Sequence, residues 1–355
     1  MQPYNVGILG ATGLVGQRLV SRLHEHPWFR VHALGASERS IGQRYGDAVR
    51  WKLSDPPPPP VLALEVVACR PEAMPGCDLV LSALDSTTAT DVEPRFARAG
   101  VAVISNSSAF RMDPDVPLLV PEVNASHLAL LTRQRERFGG GFLVTNPNCS
   151  VTGLALAVAP LERAFGVLRL VVVTLQAISG AGAEGPRAID LLDNVIPYIP
   201  GEEEKIEVEL AKILGTIEDG RVRPSSVAVS AHCHRVSTLD GHLEAVSVEL
   251  ARSASPAEVE EALGAFRGDP LAAGLPSGTA TPILVRFEPD RPQPRLDRDQ
   301  GGGMTVVVGR VRRCPVLGIK LELLSHNAVR GAAGGTLLNA EILASQKLLP
   351  RGPAA

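Results

Sequence analysis

GILGATGLVG, residues 7–16, places glycines at positions 7, 10, 13 and 16 between an apolar stretch, Val6–Leu9, and a helix-periodic segment, Leu14–His24. A strand that turns through glycine into a helix lets the backbone come close to a pyrophosphate. The helix start then offers free N–H groups and the positive end of its dipole. Glycine spacing alone is a weak signal. The strand–turn–helix context turns it into a dinucleotide-binding expectation, and Thr12 adds a hydrogen-bonding side chain among the glycines.

Outward from this turn, Val31–Leu34 form a second apolar segment, and Leu79–Ala83 and Val101–Ile104 two more. Short, fully apolar strands alternating with helices predict a parallel sheet covered on both faces. The DPPPPP run at 55–60 excludes both helix and central strand and reads as a surface loop. From about residue 167 the pattern changes. Segments 167–178, 226–236, 243–250, 281–287 and 304–313 read as longer strands, which predicts a mostly antiparallel α+β domain. QGGGM (300–304) reads as a flexible turn, 327–349 as a glycine-rich turn entering a long helix, and RGPAA as a disordered tail. The expected fold class is α/β. A Rossmann-type nucleotide-binding domain spans residues 1–145 and 327–355, and an α+β catalytic and dimerisation domain spans 146–326.

The 355 residues suffice for two buried cores, and a net charge of -3 with scattered basic residues gives no basic field for nucleic acid. All but five of the 35 basic residues are Arg, so a single arginine carries little weight by itself. No apolar run approaches the ~18 residues that suggest a membrane span, and the N-terminus lacks the basic region of a signal peptide. Five cysteines, Cys69, Cys77, Cys149, Cys233 and Cys314, are odd in number and widely spaced. That pattern fits free thiols in a cytoplasmic protein. His232 and His234 flank Cys233, but no fourth ligand accompanies them, so no metal is expected.

The end of the second predicted strand, GASERSIGQRY (35–45), decides the nucleotide. Ser37, Arg39 and Ser40 suit a 2′-phosphate, which favours NADP over NAD, although Glu38 between them suits a ribose diol.

TNPNCSVTGL (145–154) sets Asn148 and Cys149 at the N-cap of a helix expected to begin at Ser150 or Val151. Free N–H groups and the dipole there are expected to lower the thiol pKa. A cysteine nucleophile needs a proton-transfer partner and groups that hold its substrate. RVSTLDGH (235–242) offers His242 for the first role and Arg235, a planar fork for a carboxylate, for the second. Gln176 ends a predicted strand before a glycine turn, where an orienting amide is well placed.

With these motifs in view, the chain resembles aspartate-semialdehyde dehydrogenases, especially those of archaea and fungi. The likeness runs through GILGATGLVG, SNSSAFRMDPDVPLLVPEVN (105–124), TNPNCSVTGL, QAISGAG, LLDNVIPYIPGEEEKIEVE (191–209), HRVSTLDGH and NAVRGAAGGTLLNAE. The resemblance implies reduction of an aspartyl acyl phosphate to its semialdehyde with NADPH. It implies Cys149 as the nucleophile that forms a thioester, His242 as the acid/base that accepts the thiol proton, and Gln176 as the amide that positions the acyl group. Arg235 is implied to grip the substrate α-carboxylate, Glu202 its amino group, and Arg111 and Lys205 the phosphate, with Asn148 beside them. Cofactor contacts are expected from Gly10, Ala11, Thr12, Gly13, Leu14, Val15, Ser37, Arg39, Ser40, Ser82, Ala83, Leu84, Ser179, Gly180, Asn327 and Gly331. A homodimer or homotetramer is implied as well.

Two departures bear on substrate fit. RVST stands where the family commonly has RVPV, and AEGPRAID follows QAISGAG with few aromatic residues. The rival readings are a relative acting on malonyl-coenzyme A or N-acetylglutamyl phosphate, and a non-catalytic NADP-binding homologue. The Arg235–Glu202 pair suits a free amino acid and argues against the first two. The joint presence of Cys149, Gln176, Arg235 and His242 argues against the third.

Overall fold

Six short strands, β1 (Tyr4–Leu9), β2 (Phe29–Ala36), β3 (Val66–Ala68), β4 (Leu79–Ser82), β5 (Ala102–Ser105) and β6 (Phe142–Thr145), form one sheet in the computed structural model. The structure describes residues 2–350, apart from the side chains of Ala183, Glu184 and Ala188. The RGPAA tail expected to be disordered, residues 351–355, lies outside the described residues, as does part of the AEGPRAID segment. The strand order is β3-β2-β1-β4-β5-β6, and every pairing is parallel. This is the dinucleotide-binding order, which reverses direction between β1 and β4 and opens a crevice at the strands' carboxyl ends.

The first sheet is buried on both faces, as its apolar strands require. Its core includes Ile8, Leu34, Ile104 and Val144, and also Leu337, Leu338 and Ile342 from the helix Gly334–Ser345. The last helix therefore packs with the first sheet. At Gly10 the φ of +77° favours glycine, and a Cβ there would stand 2.8 Å from the Ala83 carbonyl oxygen.

A hairpin, β8 (Thr216–Glu218) and β9 (Arg221–Arg223), precedes most of the second large sheet. That sheet contains β7 (Val167–Gln176), β10 (Ala228–Arg235), β11 (His242–Leu250), β12 (Ile283–Arg286), β13 (Val306–Cys314) and β14 (Gly318–Ser325), in the order β10-β7-β11-β14-β13-β12. The three central pairings are antiparallel and the two outer ones, β10–β7 and β12–β13, are parallel. The sheet is thus more mixed than its strand pattern suggests, because alternation reports which face is buried and not which way a neighbour runs. One face packs on the helix Cys149–Phe165 through Leu154, Leu156, Val158, Val172, Val248 and Leu323. On β7 the other face leaves Val171 and Leu175 exposed, and Leu168 is exposed at the register shift near the strand's start.

One local expectation changes. A short helix begins inside the proline run, at Pro59, where a missing N–H loses no intrahelical bond. QGGGM is a turn, as expected, in which Gly301 and Gly302 adopt left-handed φ values of 59° and 63°.

Candidate active site

The helix Leu14–Leu23 starts at the crevice with Gly13 as its N-cap and no side-chain hydrogen bond there, so its first N–H groups stay available. Beside it lies a cavity of about 630 Å³ walled by Gly10, Thr12, Gly13, Ser37, Glu38, Ile41 and Arg70. Gly13, Ala83, Leu84 and Asp85 also wall a second cavity of about 510 Å³, which continues past Leu14, Val15, Ser179, Gly180, Asn327 and Gly331 to Cys149. An elongated dinucleotide fits this continuous groove: one end meets hydroxyls and a guanidinium, the middle a helix start, and the other end the thiol.

Four expected contacts are not on these walls. Ala11 and Ser82 are fully buried. The Ala11 carbonyl accepts from the Tyr45 hydroxyl at 2.9 Å, and the Ser82 carbonyl accepts from Asn106. Arg39 and Ser40 belong to the short turn Glu38–Ser40 and stand off the cavity, while Arg70, at the end of β3, faces it. Arg70 was not legible as a contact because only the sheet order brings β3 beside β2.

The helix begins slightly earlier than expected, with Cys149 as its first residue. Asn148 caps it, with Oδ1 accepting from the Ser150 N–H at 2.9 Å. Gly331, in the chain's final return, comes so close that a Cβ there would lie 2.7 Å from the Cys149 Cβ. His242, at the start of β11, brings Nε2 to 3.1 Å from the Cys149 Sγ. Its Nδ1 accepts from the Ala177 backbone N–H at 3.1 Å, and the Ala177 carbonyl accepts from Arg235 Nη1 at 2.7 Å. The Ala177 backbone, just past the end of β7, therefore orients both side chains.

The opposite side of Cys149 is charged. The helix Glu202–Ile213 presents Glu202, Lys205, Glu209 and Lys212 at spacings of three and four, along one face. Glu202 accepts from Asn148 Nδ2 at 2.7 Å, from Lys205 Nζ at 2.9 Å and from Gln176 Nε2 at 3.4 Å. Glu209 bridges two site residues: Oε1 accepts from Arg111 Nη1 at 2.9 Å and Oε2 from the Asn148 N–H at 2.6 Å. Lys212 Nζ donates to the carbonyls of Arg111, Asp113 and Val116, holding the loop that carries Arg111. Glu209 and Lys212 were absent from the sequence expectations, although their register with Glu202 and Lys205 was available as a signal.

The expected lowering of the Cys149 thiol is overturned. Burial pushes it up to about 12; Glu202 adds to the rise, and Arg111 and Arg235 oppose it. A helix start stabilises a thiolate by much less than the loss of water destabilises it. Burial, followed by the Arg235 charge, brings the His242 imidazole down to about 3. Burial also opposes the charge on Glu202, but Lys205, Asn148 and Gln176 outweigh it and hold that carboxyl below its usual range. Glu244, two residues beyond His242, is fully buried with both carboxyl oxygens unpartnered among the described residues, and burial raises it well above a normal carboxylate.

Residues 5–131 match the semialdehyde dehydrogenase NAD binding domain, and residues 158–330 the semialdehyde dehydrogenase dimerisation domain. The chain is 48% identical to the aspartate-semialdehyde dehydrogenase of Archaeoglobus fulgidus, over 98% of this chain and 99% of that protein. The chain belongs to the aspartate-semialdehyde dehydrogenase family. The aspartate-semialdehyde dehydrogenase of Cryptococcus neoformans is 49% identical over 97% of this chain and 98% of its own length. A crystal structure of the Candida albicans aspartate-semialdehyde dehydrogenase with NADP superposes with a TM-score of 0.90 at 42% identity, covering 98% of this chain and 100% of that one.

Proposed function

We propose that this protein reduces L-aspartyl 4-phosphate to L-aspartate 4-semialdehyde with NADPH, in the biosynthesis of lysine, threonine and methionine. The observation that carries the reading is the Cys149–His242 pair, 3.1 Å apart, at the end of a groove that runs back to the uncapped glycine turn. Cys149 attacks the acyl carbon, phosphate departs, and a thioester remains on the sulfur. NADPH, when bound in the groove, supplies the hydride that takes the thioester to the aldehyde. Arg111 and Lys205 bind the phosphate at the helix start, where the dipole adds to their charge. Arg235 holds the α-carboxylate, Glu202 the amino group, and Gln176 the acyl oxygen. Asn148 keeps the helix start, and with it Cys149, in register.

Gly10, Thr12, Gly13, Leu14, Val15, Ala83, Leu84, Ser179, Gly180, Asn327 and Gly331 hold the cofactor, with Ser37 and Arg70 at its 2′-phosphate. The nucleotide domain is completed by the segment after residue 327, and residues 146–326 form the catalytic domain. The exposed residues Leu168, Val171 and Leu175, together with the exposed Leu192, Val195 and Tyr198, suit burial against a second copy. No helix among the described residues is long and apolar enough to cross a membrane. Five free thiols support a cytoplasmic location.

The test runs the reaction in reverse. Purified protein, aspartate semialdehyde, inorganic phosphate and NADP are expected to give phosphate-dependent NADPH absorbance. No turnover with that set, together with turnover on malonate semialdehyde and coenzyme A, would overturn the substrate.

A further inference from the structure

We propose that Asp240 is a positioning residue: through its ion pair with Arg18 it fixes the loop that leads into His242, and so sets where the imidazole meets the Cys149 sulfur. The inference rests on the reaction proposed above and adds to it a residue that is not on the walls of the cavity reaching the thiol.

The loop 236–241 links β10 to β11 and has little stiffness of its own. Ser237 stands where the family commonly has a proline, so no ring locks φ there. Gly241, directly before His242, adopts a φ of +98°, and glycine is the residue with the widest backbone freedom. Ser237 and Leu239 are exposed, so core packing does not fix their course.

Polar ties hold the loop instead. The Thr238 carbonyl accepts from the Ile178 N–H at 2.8 Å, and the Leu239 carbonyl from the Ser179 N–H at 3.2 Å. The Asp240 carbonyl accepts from Arg298 Nη1 at 3.2 Å, and the Gly241 N–H donates to Asn327 Oδ1 at 2.8 Å. These four depend on the loop's backbone and not on its side chains. The Asp240 carboxylate adds a tie of another kind: Arg18 Nη2 donates to Oδ1 at 3.3 Å and to Oδ2 at 3.4 Å. Arg18 lies on the helix Leu14–Leu23, 222 residues away in sequence, and also walls the groove near the thiol. The carboxylate thus joins the histidine's loop to the helix whose start faces the dinucleotide groove.

The charge that this tie needs is present. Burial opposes ionisation of Asp240, but the Ser179 hydroxyl, Arg18, His326 and Arg298 outweigh it and hold the carboxyl below its usual range. Both side chains keep only 21% of their surface exposed, so salt screens the pair less than a fully solvated one. The Ser179 hydroxyl also accepts from Asn327 Nδ2 at 2.9 Å. Asp240, Ser179, Asn327 and Gly241 therefore close a ring around the chain as it enters β11, and Ser179 and Asn327 wall the groove as well.

Small displacements matter at this point. His242 Nε2 stands 3.1 Å from the sulfur. Proton transfer needs hydrogen-bond reach, about 2.6–3.2 Å. A misplacement of ~1 Å can cost on the order of 100-fold in rate.

The test is steady-state kinetics of the reverse reaction at saturating NADP. Asp240→Asn keeps the shape of the side chain and an acceptor for Ser179 but removes the charge. Its kcat is expected to fall about 10- to 100-fold. The KM for aspartate semialdehyde is expected to stay within about twofold, because Arg235 and Glu202 are untouched. Arg18→Gln should lower kcat by a similar factor, and the double variant should be no slower than the slower single, as for two ends of one contact. An unchanged kcat in Asp240→Asn would overturn the proposal, as would losses that multiply in the double variant. A KM for aspartate semialdehyde that rises in step with the fall in kcat would also overturn it, since that marks a general distortion of the pocket. Wild type in the same assay separates two failures. No NADPH from wild type retires the reaction and this role with it, whereas normal wild-type turnover beside an unimpaired Asp240→Asn retires only the role of Asp240.

Discussion

Two sides of one cysteine are built on opposite principles. Towards the Glu202 helix, charges are paired: buried Arg111 meets Glu209, and half-buried Lys205 meets Glu202. Towards β11, burial outweighs the neighbouring charges and favours the neutral form of three groups: the Cys149 thiol, the His242 imidazole and the Glu244 carboxyl. The first side is prepared for a substrate that brings charge. The second is prepared for chemistry in which a proton must be surrendered and returned. A low-dielectric pocket tolerates either solution, since pairing and neutralisation both avoid a bare buried charge.

The strongest way to sharpen this contrast is to remove the atom between the two sides. Cys149→Ala is expected to abolish turnover while leaving NADP affinity, measured by titration calorimetry, within about twofold, because its side chain adds no charge to the groove. Appreciable residual activity would show that no thioester forms.

The paired side is tested next through Glu209→Ala. That change leaves Arg111 a buried cation without its acid and the Asn148 N–H without its acceptor, a loss of about 3–5 kcal/mol by analogy with broken buried pairs. Denaturant unfolding should record it, and the KM for phosphate in the reverse reaction should rise more than the KM for NADP. Equal changes in both would mean that Glu209 holds the fold in general and not the phosphate end.

The neutral side answers to Glu244→Gln, an isosteric change that leaves a neutral group neutral. With the folded carboxyl raised well above its unfolded value, wild-type stability is fully present below the unfolded pKa of ~4.3. It is then lost as pH rises towards the folded pKa, at up to about 1.4 kcal/mol per pH unit. The glutamine variant has no such slope, so its advantage in thermal unfolding should grow from pH 5 to pH 8. An advantage that is constant or reversed over that range would mean that Glu244 is charged in the fold.

How much of this was readable in the chain divides along the same line. The glycine turn, the cysteine at a helix start and the histidine before a strand were legible because each depends on residues adjacent in sequence. Glu209 was legible in principle from its register with Glu202 and Lys205, yet its partners Arg111 and Asn148 lie 98 and 61 residues away. Arg70 needed the sheet order. The thiol pKa was misjudged because a helix start can be seen in sequence, whereas the burial of sulfur is a property of the assembled walls. The hydrogen bond that orients His242 was beyond reach for the same reason, since it comes from the backbone of Ala177, 65 residues away.

The last helix packs in the core of the first sheet, and the turn before it presses Gly331 against Cys149. During synthesis, then, the nucleotide-binding half waits for its final layer until the whole second sheet has left the ribosome. Cys149 acquires this neighbour only from the segment around Gly331. A protein interrupted before that point carries Cys149 without the wall that Asn327, Gly331 and Ala332 give its groove.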